Sequence, residues 1–161
     1  MKYNYTWKRS LLSGTYYIFQ NEIQIGYIKH SYFKRTIAEF NNKNYSFKTT
    51  GILKRDTKII DQSQRRTVGK MKYNIKFNKA RVSLDNKTVY WKYGNIFRFK
   101  WKIHDARGLK IKYKSSLIKG NITANTEDDD IPLLSGLYLA HNHFLILMLL
   151  IIVSILFYKF F

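Results

Sequence analysis

Residues 133–161 read LLSGLYLAHNHFLILMLLIIVSILFYKFF, and Lys159 is the single charge among them. A helix that is apolar on every side must be buried, in a protein core or in a bilayer. The chain before it has the opposite character, with 28 Lys and Arg against 6 Asp and Glu in residues 1–126. What covers the tail therefore decides the fold.

Outward from that tail, the basic segment alternates apolar and polar residues with period two, as half-buried strands do. In the clearest run, 96–103, Phe97, Phe99, Trp101 and Ile103 face one way and Arg98, Lys100 and Lys102 the other. Leu109, Ile111 and Tyr113 alternate with Lys110, Lys112 and Lys114. Met71, Tyr73, Ile75 and Phe77 alternate with Lys70, Lys72, Asn74 and Lys76, and Val89, Trp91 and Tyr93 with Tyr90 and Lys92. Weaker strands are expected at 3–8, 15–19, 22–29, 35–40, 45–49, 58–61, 80–84 and 118–126. The turn signals between them, such as Gln20-Asn21, Asn41-Asn42 and Asp85-Asn86, are too short to hold helices. The spacing predicts a mainly β chain, an antiparallel meander of about twelve strands.

A sheet of that size curls, closes or splits into two layers. A closed barrel of about twelve strands is wider than its own side chains can fill. It needs a plug, and the apolar tail can supply one. Strands of about nine residues, tilted by about 40°, give a barrel some 23 Å tall. About 15 helical residues thread that height. The tail is nearly twice as long and is interrupted by His141-Asn142-His143.

The chain is therefore expected to be a single domain, 1–161. Residues 1–126 form a basic barrel body, 127–130 an acidic linker and helix cap, and 131–160 a hydrophobic helix. Residues 131–143 are the plug, with Leu133, Leu134, Leu137 and Leu139 in the core. Residues 144–161, with Phe144, Leu147, Leu150 and Val153, form a second run of about 27 Å, against a bilayer core of about 30 Å. Two alternatives are a plain tail-anchor beside a β-sandwich, and a soluble barrel threaded by the whole helix. An exposed apolar helix end would aggregate in water, which favours plug plus membrane. Glu127-Asp128-Asp129-Asp130 puts negative charge where a helix N-terminus favours it, with Asp130 as N-cap and Pro132 in the first turn. A weak internal repeat, Ile25-Gly26-Tyr27-Ile28-Lys29 against Val68-Gly69-Lys70-Met71-Lys72, is either a structural echo or a chance likeness of strands.

Several functions are disfavoured. The absence of cysteine removes disulfides and thiolate chemistry and suits a reducing cytoplasm. The N-terminus has no apolar stretch of a signal peptide. There is no phosphate-binding Walker loop and no Gly-x-Ser-x-Gly elbow, and Glu22, Glu39, Asp56, Asp61, Asp85 and Asp105 are scattered. No catalytic residue and no cofactor is assigned, and the expected class is non-enzymatic. His141 and His143, two apart, do not share a helix face, so no metal site is assigned. His30 and His104 stand singly.

The net charge of +19 points to a polyanion. Arg98, Lys100, Lys102, Lys110, Lys112 and Lys114 share one face of two consecutive strands, and Lys70, Lys72 and Lys76 can continue the stripe. Like charges side by side on a sheet repel, and an anionic partner would relieve the repulsion. The bland alternative is a solvated lysine-rich face. Nucleic acid is the rival partner, but the interleaved aromatics fall on the opposite face from the lysines, Tyr90 and Tyr17 excepted.

The Ile-Gly-x-Ile-Lys repeat, the lysine-studded strands and a final apolar helix opening Leu133-Leu134-Ser135-Gly136-Leu137-Tyr138-Leu139 together resemble the Tubby C-terminal-like superfamily. That group includes phospholipid scramblases and the plant LURP-one-related proteins. The resemblance spans the whole chain. It implies a closed twelve-stranded barrel threaded by its C-terminal helix. Tubby proteins bind phosphoinositides through basic surface residues, which implies anionic lipid headgroups as the ligand here, without carrying individual positions across. The acidic calcium-binding segment of the scramblases has no counterpart. The expected protein is a membrane-associated barrel with its basic body cytoplasmic, following the positive-inside tendency. A soluble nucleic-acid-binding barrel and a tail-anchored scaffold are the alternatives.

Overall fold

The computed structural model describes residues 1–31, 34–51, 56–94, 99–127 and 129–160. Twelve strands follow in order: β1 (Tyr3–Arg9), β2 (Thr15–Gln20), β3 (Ile23–Lys29), β4 (Thr36–Phe40), β5 (Lys43–Thr50), β6 (Asp56–Asp61), β7 (Arg66–Tyr73), β8 (Lys79–Leu84), β9 (Thr88–Tyr93), β10 (Lys100–His104), β11 (Lys110–Ser115) and β12 (Lys119–Ala124). Each pairs antiparallel with the next, and β12 closes on β1 from Tyr3↔Ala124 to Lys8↔Lys119. Closure leaves no open edge for aggregation. It also rules out the sandwich. Strand alternation sends Tyr5, Trp7, Ile18, Ile28, Phe40, Phe47, Ile59, Trp91, Ile103, Ile111 and Ile122 inward, where all are buried.

The helix α1 (Asp130–Phe160) enters one end of the barrel and leaves by the other. Its first carboxylates pair with the turns at the entry end: Asp129 with Lys87 between β8 and β9, and Asp130 with Lys43 at the start of β5 (2.8 Å). Leu133, Leu134, Ser135, Gly136, Leu137, Tyr138 and Leu139 are buried inside. Wall tyrosines reach the helix backbone: Tyr113 donates to the Leu133 carbonyl at 2.9 Å, and Tyr73 to that of Leu139. Burial persists through His141, Asn142 and His143 and ends at Ile146; Phe144 is already exposed. The seam therefore lies where the polar interruption stands.

Four expectations need correction. The strand expected through Phe77 stops at Tyr73, because Asn74 closes a turn: its Oδ1 accepts from the Asn78 and Lys79 amides, and its carbonyl from that of Phe77. Ile75 is then 82% exposed and Lys76 lies in the turn. The run 96–103 starts as a strand only at Lys100, and Phe99 sits before it at φ 44°, 37% exposed rather than in the core. Phe97 and Arg98 lie outside the described residues. The helix N-cap is Asp129, whose carbonyl accepts from Leu133 at 3.0 Å, so Asp130 is the first helical residue. Finally, the strands run 5 to 8 residues rather than nine.

The repeat has a structural basis. Gly26 stands opposite Ile18, where the β2–β3 register shifts, and Gly69 opposite Ile59, where β6–β7 shifts in the same way. A Cβ on Gly26 would lie 2.5 Å from the Glu39 carbonyl oxygen, and one on Gly69 2.6 Å from Leu84 Cδ2. Both glycines allow a bulged strand to pass close to its neighbour.

Candidate anionic-surface site

The barrel register turns the expected basic stripe into defined rows. Lys79 of β8 stands opposite Lys92 of β9, Lys92 opposite Lys102 of β10, and Lys102 opposite Lys112 of β11. Lys100 faces Lys114 across β10–β11. A second row runs Lys48, Lys58, Lys70 over β5 to β7, and Lys72 faces Arg81 across β7–β8. Of the predicted residues, Lys70, Lys72, Lys100, Lys110, Lys112 and Lys114 are exposed and Lys102 is half-buried on the same outer wall. Lys110 sits at the far end of β11, opposite His104. Sequence reasoning left out Lys79, Arg81 and Lys92. The signal for Lys92 was its alternation with Trp91, whereas Lys79 and Arg81 emerge only once β7 is ended at Tyr73.

Neutralisation in these rows is sparse. Among the described residues the ion pairs are Lys43–Asp130, Lys87–Asp129, Arg66–Asp85 and Lys72–Asp56 at 4.0 Å, so the Lys79–Lys92–Lys102–Lys112 row has none. Directly opposed like charges cost stability. Crowding shows at His104, whose imidazole is pushed below its usual range first by burial and then by Lys102 and Lys92.

The two ends of the barrel differ in chemistry. Glu22, Asp61, Asp85, Asp105, Glu127, Asp129 and Asp130 lie at the helix-entry end, and Glu39 one residue from it. Asp56 alone among the described acids begins a strand at the exit end. The exit-end connections instead expose Leu11 and Leu12 (β1–β2), Ile75 (β7–β8), Phe99 (β9–β10), and Leu117 and Ile118 (β11–β12). Nothing in the sequence marked these leucines and isoleucines, because which turns share an end follows only from counting strands around a closed ring. Ile23 and Met1 are the exposed large apolar residues at the entry end among those described.

At the exit mouth, the interruption in the apolar helix is satisfied by the wall. His141 stacks on His30 at 3.6 Å and lies 3.2 Å from the Tyr16 hydroxyl through Nδ1. His143 Nδ1 donates to the Phe77 carbonyl at 2.7 Å, which fixes the neutral tautomer with the proton on Nδ1. Burial holds its pKa below the usual histidine range, against the opposing pull of that carbonyl. The two histidines point to different walls, and among the described residues no three His, Asp or Glu converge on a metal position. Of the tail residues assigned to plug or membrane, Leu133, Leu134, Leu137 and Leu139 are buried, Leu147 is half-buried, and Phe144, Leu150 and Val153 are exposed. The helix is long and apolar enough to cross a membrane. No family model, no curated protein and no solved structure matches the chain.

Proposed function

We propose that this chain is a non-enzymatic, membrane-anchored barrel. It stands with its helix-exit end on an anionic bilayer and binds phospholipid headgroups, with the body on the cytoplasmic side. One observation carries the reading: the chemistry is sorted along the barrel axis. Acids gather at the entry end. Exposed apolar loops, unpaired lysine rows and the bare half of α1 gather toward the other. Residues 144–160 extend about 26 Å, close to the roughly 30 Å of a bilayer core. Each lysine near an anionic surface contributes about 1 kcal/mol, so the four-lysine row favours such a surface by roughly 4 kcal/mol, about a thousandfold. Membership of the Tubby-like group is part of this proposal and rests on the strand pattern, the glycine repeat and the threaded helix. Tyr90, 44% exposed between Arg81 and His104, is the one outward aromatic beside the rows among those described, a thin platform for base stacking.

The test is partition of the full chain between phosphatidylserine-containing and pure phosphatidylcholine vesicles. The change of Lys100, Lys102, Lys110 and Lys112 to Glu should cut the preference for the anionic vesicles a hundredfold or more. An unchanged preference would remove the lysine rows from the reading. Recovery of the full chain as a monodisperse protein without detergent would remove the membrane.

A further inference from the structure

We infer that a pocket at the helix-exit end binds the phosphate-monoester headgroup of a lipid; this rests on the end-on membrane reading above. The pocket measures about 350 Å³ and lies between the β3–β4 connection, the end of β5 and the helix. That is room for a headgroup rather than for a single water.

Its lining is one-sided in charge. Lys34, Arg35 and Lys48 contribute, and among the described residues no Asp or Glu does. All three cations are exposed, and none joins an ion pair among the described residues. The Lys34 amide donates to Ser31 Oγ at 3.0 Å, and Arg35 directly precedes β4. Anchoring at these two points limits the ordering cost of binding.

The floor supplies a second, independent sign of a ligand. Asn142 lines the pocket, is 3% exposed, and its Nδ2 has no hydrogen-bond partner among the described residues. A buried amide left unpaired costs about 1–3 kcal/mol. A small shift of the Asn142 side chain toward the cavity would let a ligand oxygen remove that cost. Beside it stand the stacked rings of His30 and His141, and the Thr49 hydroxyl bonded to that of Tyr138. Cations, an unpaired amide donor and hydroxyls form a set that suits a compact anion with several acceptor oxygens. A phosphate monoester offers three such oxygens and close to two charges, whereas a diester offers two oxygens and one charge.

The lipid source follows from where the pocket ends. Its last lining residue along the helix is Leu145, at the start of the bare apolar half. A headgroup seated among Lys34, Arg35 and Asn142 would leave its acyl chains beside that helix. A soluble phosphate ester gains nothing there.

The experiment uses the full chain in phosphatidylcholine nanodiscs, titrated by calorimetry with dioctanoyl phosphatidic acid, dioctanoyl phosphatidylserine and inorganic phosphate. Saturable binding of the phosphatidic acid is expected, at least tenfold tighter than either of the others. Lys34→Ala with Arg35→Ala, and separately Lys48→Gln, should each weaken it tenfold or more. The sites are on the surface, so unaltered thermal unfolding will show that the variants are folded. Equal affinity for the two lipids, or variants that bind like the parent, overturns the pocket. Inorganic phosphate binding as tightly as the lipid overturns the lipid assignment. The two proposals fail separately. A parent chain that shows no anionic-vesicle preference yet binds phosphatidic acid sinks the surface reading, and one that prefers anionic vesicles without binding phosphatidic acid saturably sinks the pocket.

Discussion

Gly136 shows how tightly the plug fits its wall. The Tyr113 ring lies across it, and a Cβ added at Gly136 would come within 2.2 Å of the Tyr113 hydroxyl oxygen. Tyr113 is itself buried and donates to the helix carbonyl of Leu133, so neither partner can step aside without breaking that bond. Gly136→Ala should cost about 1–3 kcal/mol of overpacking, although alanine is the better helix former. That lowers Tm by roughly 5 °C for a domain of this size. Ser135→Ala, one residue away, should do the opposite or nothing. Its hydroxyl is fully buried without a partner among the described residues, and removing such a group relieves a cost. Thermal unfolding followed by tryptophan fluorescence compares the two. Equal Tm values for Gly136→Ala and the parent would mean that the Tyr113 contact is loose. In the sequence Gly136 is one small residue in an apolar run. Its meaning depends on Tyr113, more than twenty residues away and on another element, which no local pattern can reveal.

The helix acts as two elements with one backbone. Each buried leucine contributes about 1.5–3 kcal/mol. Leu133, Leu134, Leu137 and Leu139 together are then worth roughly 6–12 kcal/mol, comparable to the whole stability of an ordinary domain. A chain ending after Asp130 should therefore fail to fold. A chain ending after Leu147, which keeps the last buried residue, Ile146, should fold and stay in solution without detergent. Circular dichroism and sedimentation of the two truncations check this. A folded product from the shorter one would mean that the strands close on a core of their own. Much of this was legible beforehand, for a definite reason. Strand alternation is a local signal, and it survives closure because every strand keeps one face inward. The seam at His141-Asn142-His143 was visible because three polar side chains interrupt an apolar run. What the alternation could not give was where strands stop. Ile75 and Phe77 continue the pattern of β7, but the Asn74 side chain captures the Asn78 and Lys79 amides and turns the chain back. The partners of the lysines were hidden as well, since Lys92 meets both Lys79 and Lys102 only through ring closure and register.

For the whole molecule the proposed function raises the question of which way the barrel would meet a bilayer. The lysine rows on β8 to β11 alone would lay the barrel on its side. The apolar loops and the helix axis would stand it on end. The ring order separates these cases. Five strands part β2 from β8 in either direction round the ring of twelve, so the β1–β2 and β7–β8 connections lie on opposite sides of the exit mouth. Standing on end, the barrel dips both Leu12 and Ile75 into the interface, with α1 leaving between them. Lying on the lysine wall, it can wet Ile75 but lifts Leu12 clear by about a barrel diameter. The chain lacks cysteine, so one introduced thiol carries one label. Leu12→Cys, Ile75→Cys and Asn86→Cys, the last an exposed turn residue at the entry end, can each take an environment-sensitive dye. On vesicles containing phosphatidylserine, the dyes at 12 and 75 should both shift to the blue and the dye at 86 should not. A shift at 75 without one at 12 would turn the barrel on its side. The lysine rows would then be the contact face, and the acids at the entry end would have no part in setting orientation. The axial sorting of charge argues for the first outcome. At the entry end carboxylates offset the basic residues, as Asp130 does Lys43, Asp129 does Lys87 and Asp85 does Arg66, and a body that is balanced at one end and basic toward the other lowers its energy by turning the basic end to an anionic surface.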